Sequence, residues 1–259
     1  MNLPIFQIDA FTSRRFRGNP AAVVVMDEWL PDEVMASIAA ENNLAETAFV
    51  IPDKEIAPLR WFTPTIEVDL CGHATLATAH VMFDSYRPDA TAIRFATRSG
   101  ELGVSRRDEL LCMDFPARPP KPIVLDDLLV TALGARPREV LMARDILAVF
   151  DSEDEIKQLR PDFDRITALD AFAVIATARG DHVDFVSRFF APAAGVPEDP
   201  VTGSAHCTLT PYWAEKLDKN KLTAHQVSPR GGELWCEMLG DRVTIAGATV
   251  EYLRGEITI

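Results

Sequence analysis

Asp69-Leu70-Cys71-Gly72-His73-Ala74-Thr75-Leu76-Ala77-Thr78-Ala79-His80 reads as a turn that runs straight into a helix. Gly72 allows the sharp bend, and Ala-rich sequence follows at once. The first amides of such a helix have no intrahelical acceptor, and the helix dipole favours an anion in front of them. Asp199-Pro200-Val201-Thr202-Gly203-Ser204-Ala205-His206 has the same form, with a Gly and a small polar residue opening an Ala-containing helix. The chain is therefore read as two halves that bring these two turns face to face.

Working outward, Arg60-Trp61-Phe62-Thr63-Pro64 matches Arg188-Phe189-Phe190-Ala191-Pro192. In each copy a Glu, Glu67 or Glu198, precedes the turn Gly by five residues. The misfit is a three-residue insertion near Ala194-Gly195-Val196. Strand, Gly turn and buried helix recur in the same order, which favours duplication into two lobes over a solenoid.

The rest of the chain fits an α+β protein. Ile5–Phe11, Ala21–Met26 and Ala45–Ile51 alternate or run apolar as strands do. Period two puts Glu46 on the face of Ala48 and Val50. A helix starts at Pro31-Asp32-Glu33, as Pro and early acids allow. The helix from His73 to about Phe83 is apolar nearly all round and should be enclosed. Strands are expected over 93–102, 103–106 and 110–115. Pro116, Pro119, Pro120 and Pro122 mark a linker, dividing an N-terminal lobe, 1–116, from a C-terminal lobe, 117–259, whose last strand has the option of returning to the first. In the second lobe, helices are expected over 126–133, with Gly134 as stop, over 154–159 and over 204–217. Pro211 should kink the last of these, since it cannot donate to the carbonyl of Cys207. Strands are expected over 140–150, 172–178, 183–190, 227–235, 237–239, 242–245 and 248–259.

Composition narrows the function. The 259 residues carry a formal charge of −13, which disfavours a general grip on nucleic acid or an anionic membrane. The 47% hydrophobic content supports a large core. Cys71, Cys112, Cys207 and Cys236 form no C-x-x-C pair, and with no N-terminal targeting pattern they are expected to be reduced thiols in the cytoplasm. No apolar run of 18 residues suggests a membrane span. His80, His182, His206 and His225 lack metal-ligand spacing. There is no Walker loop or dinucleotide fingerprint. Neither a metal nor a cofactor is expected.

Four blocks, in order along nearly the whole chain, carry a resemblance. They are Asp9-Ala10-Phe11-Thr12 with Phe16-Arg17-Gly18-Asn19-Pro20-Ala21-Ala22-Val23-Val24; Asn43-Leu44-Ala45-Glu46-Thr47-Ala48-Phe49; Cys71-Gly72-His73-Ala74-Thr75; and the stretch from Asp199 to His206. On these the chain resembles the PhzF family of isomerases, whose fold is similar to that of diaminopimelate epimerase. The resemblance implies two similar lobes, each a β-barrel-like sheet wrapped around a central helix, with the site in the cleft between them. It also implies a homodimer. It makes Glu46 the catalytic acid and places His73, Asp199, Gly203 and Ser204 at the substrate, with Gly72 in the first turn. The family's characterised reaction isomerises trans-2,3-dihydro-3-hydroxyanthranilate without a cofactor. The resemblance supports isomerase chemistry on a small carboxylated metabolite, cyclic or aromatic, better than it supports that substrate.

Each site residue also has a plainer reading. Glu46 is either an edge carboxylate in a salt bridge or a general base tuned by burial. His73 is either a packed helix-start residue or a partner for substrate or proton. Ser204 fits an N-terminal cap and Asp199 a turn former. Diaminopimelate epimerase uses one thiol at each Gly turn. Here Cys71 precedes the first Gly but Thr202 precedes the second, so Cys71 is expected to be a buried small residue. The leading expectation is a cofactor-independent isomerase in which Glu46 moves a proton. An amino-acid epimerase or racemase, and a non-catalytic metabolite-binding protein, are the alternatives.

Overall fold

The computed structural model describes residues 1–259. The chain divides into two compact units, Met1–Asp114 with Ala246–Ile259, and Phe115–Ile245. The fold is α+β, dominated by strands.

In the first unit the closing strand Thr249–Thr258 lies antiparallel on Asn2–Ala10, which takes Asn19–Val25 antiparallel on its other side. Glu46–Val50 runs parallel to Asn19–Val25, and Ala57–Phe62 antiparallel to Glu46–Val50. Ala57–Phe62 then pairs antiparallel with Glu67–Val68 and parallel with Ala92–Thr97. Gly100–Arg107 and Leu110–Pro116 continue as an antiparallel meander.

Helix α1 (Asp32–Asn42) covers one face of this sheet, burying Met35, Ile38 and Ala39 against Val24, Phe49 and Phe62. Helix α2 (Gly72–Val81) occupies the other face. It packs against Asn2–Ala10, Asn19–Val25, Glu46–Val50, Gly100–Arg107 and the closing strand. It is buried almost all round, as its lack of a polar face requires. Its hydroxyls are satisfied within the helix, Thr75 donating to the carbonyl of Cys71 and Thr78 to that of Ala74. Phe49 faces α1, so alternation turns Ala48, Val50 and Glu46 toward α2.

The tight entry to Asn19–Val25 explains one glycine. Gly18 sits at φ +64°, and a Cβ there would overlap the carbonyl oxygen of Ala10.

The second unit repeats the order. Glu139–Met142 and Ile146–Val149 are antiparallel, Ile146–Val149 and Val174–Arg179 parallel, and Val174–Arg179 and Phe185–Ala191 antiparallel. Phe185–Ala191 pairs antiparallel with Val196–Asp199 and parallel with Lys221–Gln226, which pairs antiparallel with Gly232–Leu239. Every step matches the first unit in sequence and in sense. Three short helices pack on this sheet, α3 (Asp127–Leu133), α4 (Glu153–Gln158) and α5 (Phe163–Thr167). Each is capped by the side chain of the preceding residue, Asp126, Ser152 or Asp162. Helix α6 (Gly203–Leu217) is the buried counterpart of α2.

Several expectations need correction. The run 140–150 is two strands, because Ala143–Asp145 turns the chain back. The strand expected over 227–235 is displaced: Lys221–Gln226 is a strand, and Ser228-Pro229-Arg230-Gly231 breaks the chain before Gly232. Lys121–Pro122, assigned to a linker, is a short strand on Leu141 and Met142. Within α6, the Cys207 carbonyl that Pro211 leaves open accepts the backbone N–H of Arg118 at 2.8 Å. No helix is long and apolar enough to cross a membrane.

Candidate active site

Glu46 opens its strand on the face that meets α2, and His73 is the second residue of α2. These two placements bring His73 Nε2 to 3.2 Å from Glu46 Oε2. The pair is in contact without full hydrogen-bond alignment. The His73 ring is buried. Burial penalises the charged imidazolium and pushes the His73 pKa down to about 3. His73 is therefore neutral at physiological pH, and its ring carries one proton.

Cys71 holds the N-cap position of α2 without capping through its side chain. Its Sγ lies 3.5 Å from His73 Nδ1, and the thiol is buried, as expected. It is more than filler, however, because it faces the second ring nitrogen of the residue beside Glu46. Carboxylate, thiol and imidazole atoms of Glu46, Cys71 and His73 lie within 4.8 Å of one another. That donor set suits zinc. In the direct contacts the thiol and the carboxylate meet different nitrogens of one ring, which links the three groups through the imidazole. The arrangement suits a chain of proton donors and acceptors better than a chelate.

The second turn is braced from within its own unit. Thr202, not Ser204, takes the N-cap position of α6, so the cap reading of Ser204 does not hold; Ser204 sits inside the first turn, half-buried. The Thr202 hydroxyl donates to Asp199 Oδ2 at 2.5 Å. Gln226 accepts the Thr202 N–H at 2.9 Å and donates to the Asp199 carbonyl at 2.8 Å. His206, one turn in, sits with Nδ1 2.8 Å from the Thr202 carbonyl. A carbonyl only accepts, so that nitrogen carries the proton. Burial holds His206 neutral, with a pKa lowered to about 4. Asp199 thus has the structural role of turn former as well as its place in the motif. Gly203 starts the helix at a buried position.

The matching topologies allow the two copies to be compared residue by residue. Arg60 pairs across its strands with Phe49, and Arg188 with Ala176. Counting back three residues, Glu46 corresponds to Ala173, a buried position. His73 corresponds to Ser204, and Cys71 to Thr202. At these matched positions the acid, the imidazole and the thiol occur in the first copy alone; Asp199 and His206 of the second turn sit at other positions.

The family model for phenazine biosynthesis-like protein, PhzC-PhzF, matches residues 8–255. The chain belongs to the PhzF family. An uncharacterised isomerase from Pseudomonas aeruginosa is 53% identical over 260 residues, with all of both chains covered. A PhzF-family crystal structure from Enterococcus faecalis is 46% identical, covers all of both chains and has a TM-score of 0.98. A hydroxyproline epimerase from Agrobacterium vitis shares the fold, with a TM-score of 0.62 over 99% of this chain and 91% of that one, at 11% identity. PhzF members are isomerase-like proteins, and their fold is shared with epimerases of the proline-racemase type.

The structure brings together Glu46 and His73, both named from the sequence, and adds Cys71, Thr202 and Gln226 to their surroundings and to the second turn. Cys71 is buried, as the lack of a matching thiol at the second turn leads one to expect, but its contact with the His73 ring is not readable from spacing. Gln226 reaches the second turn from 24 residues away, a contact that no local pattern marks. The one available signal for Gln226 was a Gln ending an otherwise alternating stretch, which is weak.

Proposed function

We propose that the protein is a cofactor-independent isomerase that moves a proton on a small carboxylated substrate, with Glu46 as the single base. In this reading the Glu46 carboxylate takes a proton from carbon as the C–H bond breaks. The electron pair shifts along the adjoining double bond, and the same proton is delivered to the far carbon. The step is redox-neutral and calls for no external electron carrier. Neutral His73, beside Glu46, supports the carboxylate before transfer. Asp199, Gly203 and Ser204 are assigned to substrate binding on the strength of the family motif, together with Gly72 and the amides at the start of α2.

The observation that carries this reading is the asymmetry of the two copies. Two-base epimerisation needs two groups on opposite faces of one carbon, one to take the proton and one to supply the other. Here Glu46 meets His73 in one copy, while Ala173, Thr202 and Ser204 hold the matching places in the other. Thr and Ala are poor replacements for a base.

The test is a screen of small cyclic and aromatic carboxylates by thermal shift, followed by proton NMR of the hits. Turnover by the native protein with loss in Glu46→Gln supports the assignment. Positioned proton transfer contributes about 10²–10⁴-fold, so a loss of that size is expected. Unchanged turnover in Glu46→Gln would end the proposal. Tight binding with no product and no solvent exchange would point instead to a metabolite-binding protein.

A further inference from the structure

The ring of His73 is held between two groups, Glu46 at Nε2 and Cys71 at Nδ1. A neutral imidazole has one N–H and one lone pair, and the partner of each nitrogen decides which is which. With Glu46 as a carboxylate, two arrangements are possible. With the proton on Nδ1, the Nε2 lone pair lies beside a carboxylate oxygen 3.2 Å away, short of full alignment. In a buried site two acceptors at that distance repel. With the proton on Nε2, the ring offers a donor to the carboxylate, and Nδ1 is left as an acceptor. The group at Nδ1 must then donate, and a thiol S–H is able to do so.

We infer that Cys71 is a positioning residue whose thiol donates to His73 Nδ1 and thereby fixes the imidazole as the Nε2–H form facing Glu46. The inference rests on the reading of Glu46 as the base, since it assigns Cys71 an effect on that base through His73. It also accounts for the presence of a thiol in the first turn of a protein that lacks the matching thiol in the second. Cys71 acts here as a hydrogen-bond donor, and no bond to sulfur is made or broken.

The sequence supports the same division of roles. Cys71 precedes Gly72, whose lack of a side chain leaves the helix start open, and His73 follows it. Placing thiol and imidazole two residues apart across the bend lets the thiol sit beside the ring that it orients. The counterpart pair, Thr202 and Ser204, surrounds no imidazole at that position.

The test is nitrogen-15 NMR of the full-length protein labelled at histidine. His73 resonances are assigned by their disappearance in His73→Gln. The expected result is a pyrrole-like Nε2 and a pyridine-like Nδ1 at neutral pH. Cys71→Ser, which keeps a donor, should preserve that pattern. Cys71→Ala should shift it toward the Nδ1–H form or a mixture of the two. With a substrate in hand, Cys71→Ala should lower kcat with little change in KM, by roughly the 10- to 100-fold seen when the hydrogen-bond partner that orients a metal-bound histidine is removed. Cys71→Ser should recover most of the loss. A pyrrole-like Nδ1 in the native protein overturns the inference without any variant having to fold. An unchanged pattern in Cys71→Ala overturns it as well. If the tautomer follows Cys71 but Glu46→Gln retains turnover, the orienting role stands and the single-base reading fails.

Discussion

Arg188 grips Glu198 through two parallel hydrogen bonds of 2.7 and 2.8 Å, the same fork that Arg60 makes on Glu67 in the other copy. In each case the fork ties a long strand to the short strand that leads into a Gly turn. The Arg188 guanidinium also donates to the carbonyls of Ile156 and Leu159, closing the end of α4. Both side chains of this pair are nearly buried. Arg188→Ala removes the fork from Glu198 and one donor from each of the two carbonyls, and breaking a buried pair in this way costs about 3–5 kcal/mol. Arg188→Lys should recover only part of that, since an ammonium cannot form the planar fork. Urea unfolding of the three proteins checks the order; equal stability of Arg188→Lys and the native chain would contradict it.

A second prediction concerns acid. His73 and His206 are held neutral by burial, at about 3 and about 4. In the unfolded chain each titrates near its ordinary value of 6.5. Above that value neither state is protonated, so these residues contribute no pH dependence. Between the two values the unfolded chain binds a proton that the folded chain does not, and stability falls as pH falls. Each histidine contributes about 1.4 kcal/mol per pH unit across its window. Unfolding free energies measured at pH 7 and pH 5 should therefore drop before ordinary carboxylates begin to titrate. His206→Asn, which keeps a donor near the Thr202 carbonyl, should remove its share of the drop. An identical drop in that variant would place the effect elsewhere.

Much of this fold was legible in the residues because the signals were local. The matching Arg60–Pro64 and Arg188–Pro192 stretches announced the duplication, and in the fold each arginine grips the glutamate of its own copy, a pairing the sequence match did not foretell. Alternation alone turned Glu46 toward the buried helix. The failures have equally definite causes. Val140 to Phe150 contains no Gly or Pro, so nothing marked the turn at Ala143–Asp145. Lys221–Gln226 is polar at four of its six positions, and its membership of the sheet is decided by its neighbours, Phe185–Ala191 and Gly232–Leu239. The Cys71–His73 contact depends on which way a ring is turned, and no residue spacing encodes that.

Gln226 is a third test, because it holds the second turn from outside the motif. Its side chain is buried and contacts Thr202 and Asp199 through both its oxygen and its nitrogen. Gln226→Ala should destabilise the protein by about 1–3 kcal/mol through partners left unsatisfied. Gln226→Glu is the sharper variant, since a carboxylate still accepts the Thr202 N–H but cannot donate to the Asp199 carbonyl. If Asp199 and Ser204 contact substrate, Gln226→Glu should raise KM more than it lowers kcat. A fall in kcat alone would argue against a binding role for the turn.

The single-base reading makes a last prediction about where the transferred hydrogen comes from. One carboxylate that takes a proton and returns it within a site closed to water can deliver the original hydrogen to the product. Two separate bases cannot, because the proton removed on one face is not the one added on the other. Glu46 is the acid of its copy, and its counterpart Ala173 has no proton to give. A reaction run in deuterium oxide to low conversion should then yield product with less than one full deuterium at the new C–H position. Substrate recovered from the same mixture should show little exchange. Full deuterium incorporation at the earliest times, together with a large loss in Cys71→Ala that Cys71→Ser does not repair, would instead favour thiol-based epimerase chemistry. It would displace Glu46 from the centre of the mechanism.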